Sequence, residues 1–145
     1  MVVSYEPSLL PTFLAISRQF HLESRFKDVP YAQDKVTKLL SNPNAFCALY
    51  KVGDNHVGGM LGLVQEHWFT HAKVGFDLGL YILPNYRGRT SAPVRLVRAF
   101  EAFCESKGCF EISLSSSAQI HEERALRLYE SMGYMRSGFV SHKSC

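Results

Sequence analysis

From Val74 to Ile82 apolar and polar positions alternate. Val74, Phe76, Leu78, Leu80 and Ile82 share one parity, and Gly75, Asp77, Gly79 and Tyr81 the other. Period two predicts a half-buried strand, and Pro84 ends it because proline cannot donate to a ladder. After a short basic loop the period changes: Leu96, Val97, Phe100, Phe103 and Cys104 recur at helical spacing, and Gly108 is placed to close that helix. Upstream, residues 8–26 read as a helix with Leu10, Phe13, Leu14, Ser17 and His21 on one face and Pro11 in the first turn. The chain turns at Pro30, residues 34–40 form a second short helix, and Asn42-Pro43-Asn44 stops it.

Residues 45–52 and 56–66 read as two strands joined by a Gly53-Asp54-Asn55 turn. Glycines 58, 59 and 62 inside the second strand predict a bulge or a close backbone approach. Trp68, Phe69 and His71 form an aromatic connector to the strand at 74–82. Residues 109–115 read as a further strand with Phe110, Ile112 and Leu114 on one side, followed by a serine loop at 115–117. The last elements are a helix over 122–132, with Ala125, Leu128, Tyr129 and Met132 as its stripe and Gly133 as its cap, and a strand over 134–142.

The chain has 145 residues, which predicts one domain over 1–145, and its hydrophobic share of 46% is enough for a core. The net charge of +3 is mild and scattered, so the sequence does not predict a nucleic-acid surface. No apolar run is long enough to span a membrane, and the N-terminal residues lack a secretion pattern, so a cytoplasmic protein is expected. Cys47, Cys104, Cys109 and Cys145 have no metal-site or redox spacing, which predicts reduced thiols. No His, Cys and carboxylate cluster has metal-ligand spacing, and no nucleophile elbow predicts a serine hydrolase.

The chemistry is concentrated where the strand, the Arg87-Gly88-Arg89-Thr90-Ser91 loop and the helix meet. That order brings free backbone N–H groups, the positive end of a helix and two arginines together, as a phosphate or diphosphate requires. A solvated basic turn is the plainer reading of an isolated Arg-Gly-Arg.

Leu80-Tyr-Ile-Leu-Pro-Asn-Tyr-Arg-Gly-Arg-Thr-Ser-Ala92 resembles the acetyl-CoA signature of the GCN5-related N-acetyltransferase (GNAT) family. Arg87 fills the signature's first place and Ala92 its last, while Thr90 stands where the family usually has its central glycine. Leu126-Arg-Leu-Tyr129-Glu-Ser-Met-Gly133-Tyr134 is similar to the family's second signature. The element order also matches, with residues 2–5 as a very short or vestigial first strand. The segment His21-x-Glu23-Ser24 resembles that of compact bacteriophage and bacterial members.

The resemblance implies an α/β fold with a mixed, mostly antiparallel, splayed sheet flanked by helices. It implies transfer of acetyl from acetyl-CoA to an amine by direct attack in a ternary complex, with no acetyl-enzyme. Leu80, Tyr81 and Ile82 would pair with the pantetheine arm, and Arg87, Gly88, Arg89, Thr90, Ser91 and Ala92 would take the diphosphate. Tyr129 would be the general acid; as a residue of the apolar stripe it also reads as a packed aromatic. Asp77, expected on the same side as Tyr81, is the first candidate base and Glu111 the second, structural pairing being the plainer reading of each. Glu122 replaces a family asparagine that contacts the cofactor, with His121 or Glu123 as possible compensation. His21, Glu23, Ser24 and Phe26 on one side, and His67 and Trp68 on the other, would border the acceptor. The acceptor is open among a protein N-terminus or lysine, a polyamine and another small amine. A homodimer is compatible with the fold. The rival reading is an inactive module that binds CoA or a protein partner, favoured by Thr90 and Glu122.

Overall fold

The computed structural model describes residues 1–115 and 122–145. Its strands are β1 (Val2–Ser4), β2 (Ala45–Val52), β3 (Asn55–Glu66), β4 (Lys73–Ile82) and β5 (Glu111–Ser113), in sheet order β1-β2-β3-β4-β5. The first four pair antiparallel and β4 pairs with β5 in parallel. The helices are α1 (Leu10–Glu23), α2 (Gln33–Leu40), α3 (Ala92–Ser106) and α4 (Glu122–Ser131). The expected mixed, mostly antiparallel α/β architecture is therefore present, and β1 exists as a three-residue strand.

Two apolar layers cover the two faces of the sheet. On one face α3 buries Leu96, Val97 and Phe100 against Val57, Met60 and Ile82, with Tyr129 of α4 at the margin. On the other, α1 and α2 bury Phe13, Ile16 and Leu40 against Leu49 and Tyr81. The approach of α3 explains two glycines. A Cβ at Gly62 would lie 2.4 Å from the Phe100 ring, and one at Gly75 would lie 2.3 Å from Cys104 Sγ, so neither position has room for a side chain. All four cysteines are free thiols. Among the described residues no helix is long and apolar enough to cross a membrane.

Helix α1 is shorter than the periodicity predicts. Pro7–Leu9 forms a separate 3₁₀ turn, and Ser24 turns extended at the other end while its hydroxyl donates to the His21 carbonyl at 2.8 Å. Strand β5 is also shorter than expected. The Cys109 N–H donates to the Cys104 carbonyl at the end of α3, 3.0 Å, so the chain joins the ladder late. Ile112 and Leu114 pack on the core, whereas Phe110 is 84% exposed.

Residues 134–142 do not form the expected strand. Tyr134 is held to the body by its hydroxyl, which donates to Glu101 Oε2 at 3.0 Å, and by its N–H on the Tyr129 carbonyl. Beyond it Met135, Phe139 and Val140 are exposed and Gly138 takes a positive φ of 131°. Alternation in sequence records β propensity, but a strand also needs a partner to satisfy its backbone groups.

Candidate active site

One irregularity in β4 organises the site. Gly62 of β3 faces Asp77 and Leu61 faces Gly79, so Leu78 has no partner across the ladder. An extra residue in one strand bends it and reverses the parity of every residue after it. Before the bulge, Gly75 and Asp77 point to the α3 face. After it, Gly79 and Tyr81 point to the α1 face, where a Cβ on Gly79 would meet the Phe20 ring at 3.3 Å and Tyr81 packs edge-on to Phe20. Leu80 and Ile82 join the α3 face instead. Asp77 and Tyr81 therefore lie on opposite sides of the sheet, contrary to the expectation from uninterrupted alternation.

Strand β5 pairs with β4 only over residues 74–76. From Asp77 onward the outer edge of β4 has no neighbouring strand among the described residues, so the sheet opens beside the bulge. Asp77 is the last regular residue before the bulge. Its Oδ1 accepts the Ser115 N–H at 2.9 Å and the Ser115 hydroxyl at 3.4 Å. Burial outweighs these bonds and pushes the carboxyl up to about 6. Tyr129 is 7% exposed. Burial raises its phenol well above the ordinary tyrosine range, and the negative charge of Asp77 raises it further. Asp77 and Tyr129 thus interact across the opening, one as a weakened acid able to take a proton and the other as a protonated donor.

At the far end of β4, a 3₁₀ turn (Pro84–Tyr86) leads into the basic loop. Gly88 adopts φ +72°, which a glycine tolerates without strain. The Thr90 hydroxyl accepts the Ala92 N–H at 3.2 Å, a local turn just before α3 that takes up the first N–H of the helix. Ser91 Oγ accepts from Arg95 Nε at 2.9 Å. Among the described residues, the N–H groups of Gly88, Thr90, Ser91 and Val94 make no hydrogen bond. Unbonded N–H groups at a helix N-terminus are of the kind that suits an anion.

Arg87 is held by groups of the chain itself. Its Nη1 and Nη2 donate to the two carboxylate oxygens of Glu23 at 3.0 and 2.9 Å, and its Nε donates to the Ile82 carbonyl at 2.8 Å. The Tyr81 hydroxyl also donates to Glu23 Oε2, and the Arg87 guanidinium lies 5.2 Å from the Tyr81 ring centre. Burial and the Glu23 carboxylate push the Tyr81 phenol up to about 12. Glu23 therefore joins the end of α1, strand β4 and the basic loop. Arg89 is exposed. Arg124 of α4, which neither signature singles out, brings its Nη2 within 3.0 Å of where a Gly88 Cβ would sit.

The remaining candidates are dispersed. His21 Nε2 donates to the Val29 carbonyl at 2.7 Å and tilts against Tyr31, so it shapes the α1–α2 connection. Ser24 is buried, and Phe26 is exposed with the Arg25 guanidinium 4.3 Å from its ring centre. His67 and Trp68 lie at the opposite end of β4 from the basic loop, with Trp68 87% exposed against Phe69. Glu111 is exposed at the start of β5. Glu122 and Glu123 occupy the first turn of α4, where acidic groups complement the helix dipole. His121 and the serines at 116–117 lie outside the described residues.

The sequence matches the Acetyltransferase (GNAT) family profile over residues 12–134. No curated protein sequence matches the chain. The fold is similar to the aminoglycoside acetyltransferase meta-AAC0020 from an uncultured soil metagenomic sample, solved with trehalose. That match has TM-score 0.78 and 21% identity, and covers 100% of this chain and 94% of the other. It is also similar to AAC(6')-Iy in complex with the bisubstrate analog CoA-S-monomethyl-acetylneamine, with TM-score 0.79, 15% identity and coverage of 100% and 98%. A third similar structure is the aminoglycoside 6'-N-acetyltransferase AAC(6')-IG from Acinetobacter haemolyticus, with TM-score 0.76, 16% identity and coverage of 100% and 97%.

Proposed function

Because the chain belongs to the GNAT acetyltransferase family, we propose that it transfers acetyl from acetyl-CoA to an amine, by direct attack with both substrates bound. What supports this reading is the buried phenol of Tyr129, raised further by the negative charge of Asp77, beside the opening of the sheet. The free edge of β4 around Leu80 and Tyr81 offers backbone groups to the pantetheine amides. The N–H groups of the Gly88–Ser91 turn and the α3 N-terminus suit a diphosphate. Acetyl-CoA supplies the activated acyl group as a thioester.

The residues of the chain then divide the proton work. Asp77, with a carboxyl near 6, is ionised at neutral pH and basic enough to accept a proton from an incoming ammonium. Tyr129 stays protonated and can donate to the sulfur of the departing thiolate. The two steps are coupled in a useful sense. The Asp77 charge is one cause of the raised Tyr129 phenol, so neutralising Asp77 makes Tyr129 a stronger acid as the leaving group needs its proton.

The acceptor is an amine that reaches Asp77 where the sheet opens beside β4. The aminoglycoside enzymes of similar fold make cationic polyamines and aminosugars a sensible first panel, alongside peptides. Tyr129→Phe is expected to lower turnover about a hundredfold while leaving acetyl-CoA affinity nearly unchanged. Calorimetric titration with acetyl-CoA, followed by CoA-thiol release with the amine panel, reads both quantities. An unchanged rate would remove Tyr129 from the mechanism. Wild-type binding without release by any amine would favour the inactive binding module.

A further inference from the structure

The basic loop gathers more positive charge than its sequence suggests, and the charge is unevenly committed. Arg87 is neutralised by Glu23 in a two-pronged ion pair, with side-chain exposures of 17% and 33%. Its Nε is also used, on Ile82. Arg95 leans on Ser91. Arg89 and Arg124 are exposed and have no ion pair or hydrogen bond among the described residues. Arg124 nonetheless comes from a different helix to Gly88, beside four N–H groups that are unbonded among the described residues. Gathering unpaired cations and amide donors in one place is unfavourable until an anion joins them.

From this arrangement we propose that Arg124, reaching across from α4, is the side chain that meets the diphosphate of CoA, whereas Arg87 is a strut that fixes the loop to Glu23. The proposal rests on the acetyl-CoA reading above. It assigns Glu23 to positioning the loop and not to holding the acceptor. The geometry of the strut supports this: Nε, Nη1 and Nη2 of one guanidinium all donate to groups of the chain, and the Tyr81 hydroxyl donates to the same Glu23 carboxylate.

The test is calorimetric titration of the purified chain and two variants with CoA and with dephospho-CoA, which lacks the ribose 3'-phosphate but keeps the diphosphate. Arg124→Gln should weaken both ligands by about tenfold or more, the scale of one charge-assisted contact. Equal affinity in wild type and variant would overturn the assignment. So would a loss seen with CoA but not with dephospho-CoA, which would move Arg124 to the 3'-phosphate. Glu23→Gln separates strut from ligand by sign. A strut predicts weaker binding, because the loop loses its anchor. A phosphate-binding Arg87 predicts tighter binding, because its guanidinium is released, and that result would refute the division of roles. Thermal melts of each variant report folding independently. Wild type that binds neither ligand would instead refute the acetyl-CoA reading itself.

Discussion

Gly88→Val should abolish acetyl-CoA binding, reducing affinity by at least about a hundredfold. Three effects act together. A β-branched residue at φ +72° sits in a region that L side chains rarely adopt, so the turn has to change shape. The new Cβ would lie 3.0 Å from the Arg124 guanidinium and push it from the loop. The reshaped turn would also move the unbonded N–H groups of residues 88, 90 and 91. Gly88 is exposed and outside both apolar layers, so melting should fall by only a few degrees, in line with local strain of about 1–2 kcal/mol. A Gly88→Val protein that still bound acetyl-CoA tightly in a calorimeter would show that this turn is not the diphosphate site.

Asp77→Asn should lower turnover by about 10²- to 10⁴-fold, the usual worth of a general base. Wild-type kcat/KM should rise through about pH 6 as Asp77 ionises, and that limb should vanish in the variant. The same change should stabilise the fold above that pH. The carboxyl rises from 3.8 in the unfolded chain to about 6 in the native one. Its stabilising contribution is therefore complete below pH 4 and is lost as pH rises through 6, because ionisation is easier unfolded. At pH 8 the wild type bears the full penalty, about 3 kcal/mol. Asparagine is close in shape, keeps an oxygen for the Ser115 N–H, and does not ionise. Melting curves at pH 4 and pH 8 should thus differ between variant and wild type only at the higher pH. A variant less stable at pH 8 would mean that Asp77 is held by its charge and not against it.

Much of the site could be read from local order in the sequence. The strand, basic loop and helix occur consecutively, so their meeting point was fixed by backbone connectivity alone. Tyr129 was singled out by the resemblance of residues 126–134 to the family's second signature, while the helix stripe alone read it as a packed aromatic. The misassigned side of Asp77 has a specific cause. Leu78 is apolar and so fits the alternation on either side of it, although it is 37% exposed and unpaired. Composition at that one position cannot distinguish a regular strand from a bulged one. The glycines of β3 did signal an irregularity, but its place depends on the partner strand. The Glu23–Arg87 pair joins residues 64 apart, and Arg124 reaches Gly88 from another helix, so neither leaves a local trace. The strand predicted over 134–142 failed for the related reason that pairing is a property of two segments.

The bulge also sets which single deletion the fold would tolerate. Asp77, Leu80 and Ile82 already share a face, so removing Leu78 would leave every later side chain of β4 on its present side and mend the ladder with β3. Excising Gly79 instead would keep the same count but drive Leu78 against the Phe20 ring, where even a Cβ is tight. Losing the Leu78 codon would straighten the strand beside the proposed reaction centre without exchanging core for surface. A lineage could retire the chemistry in one step and keep the scaffold for another use.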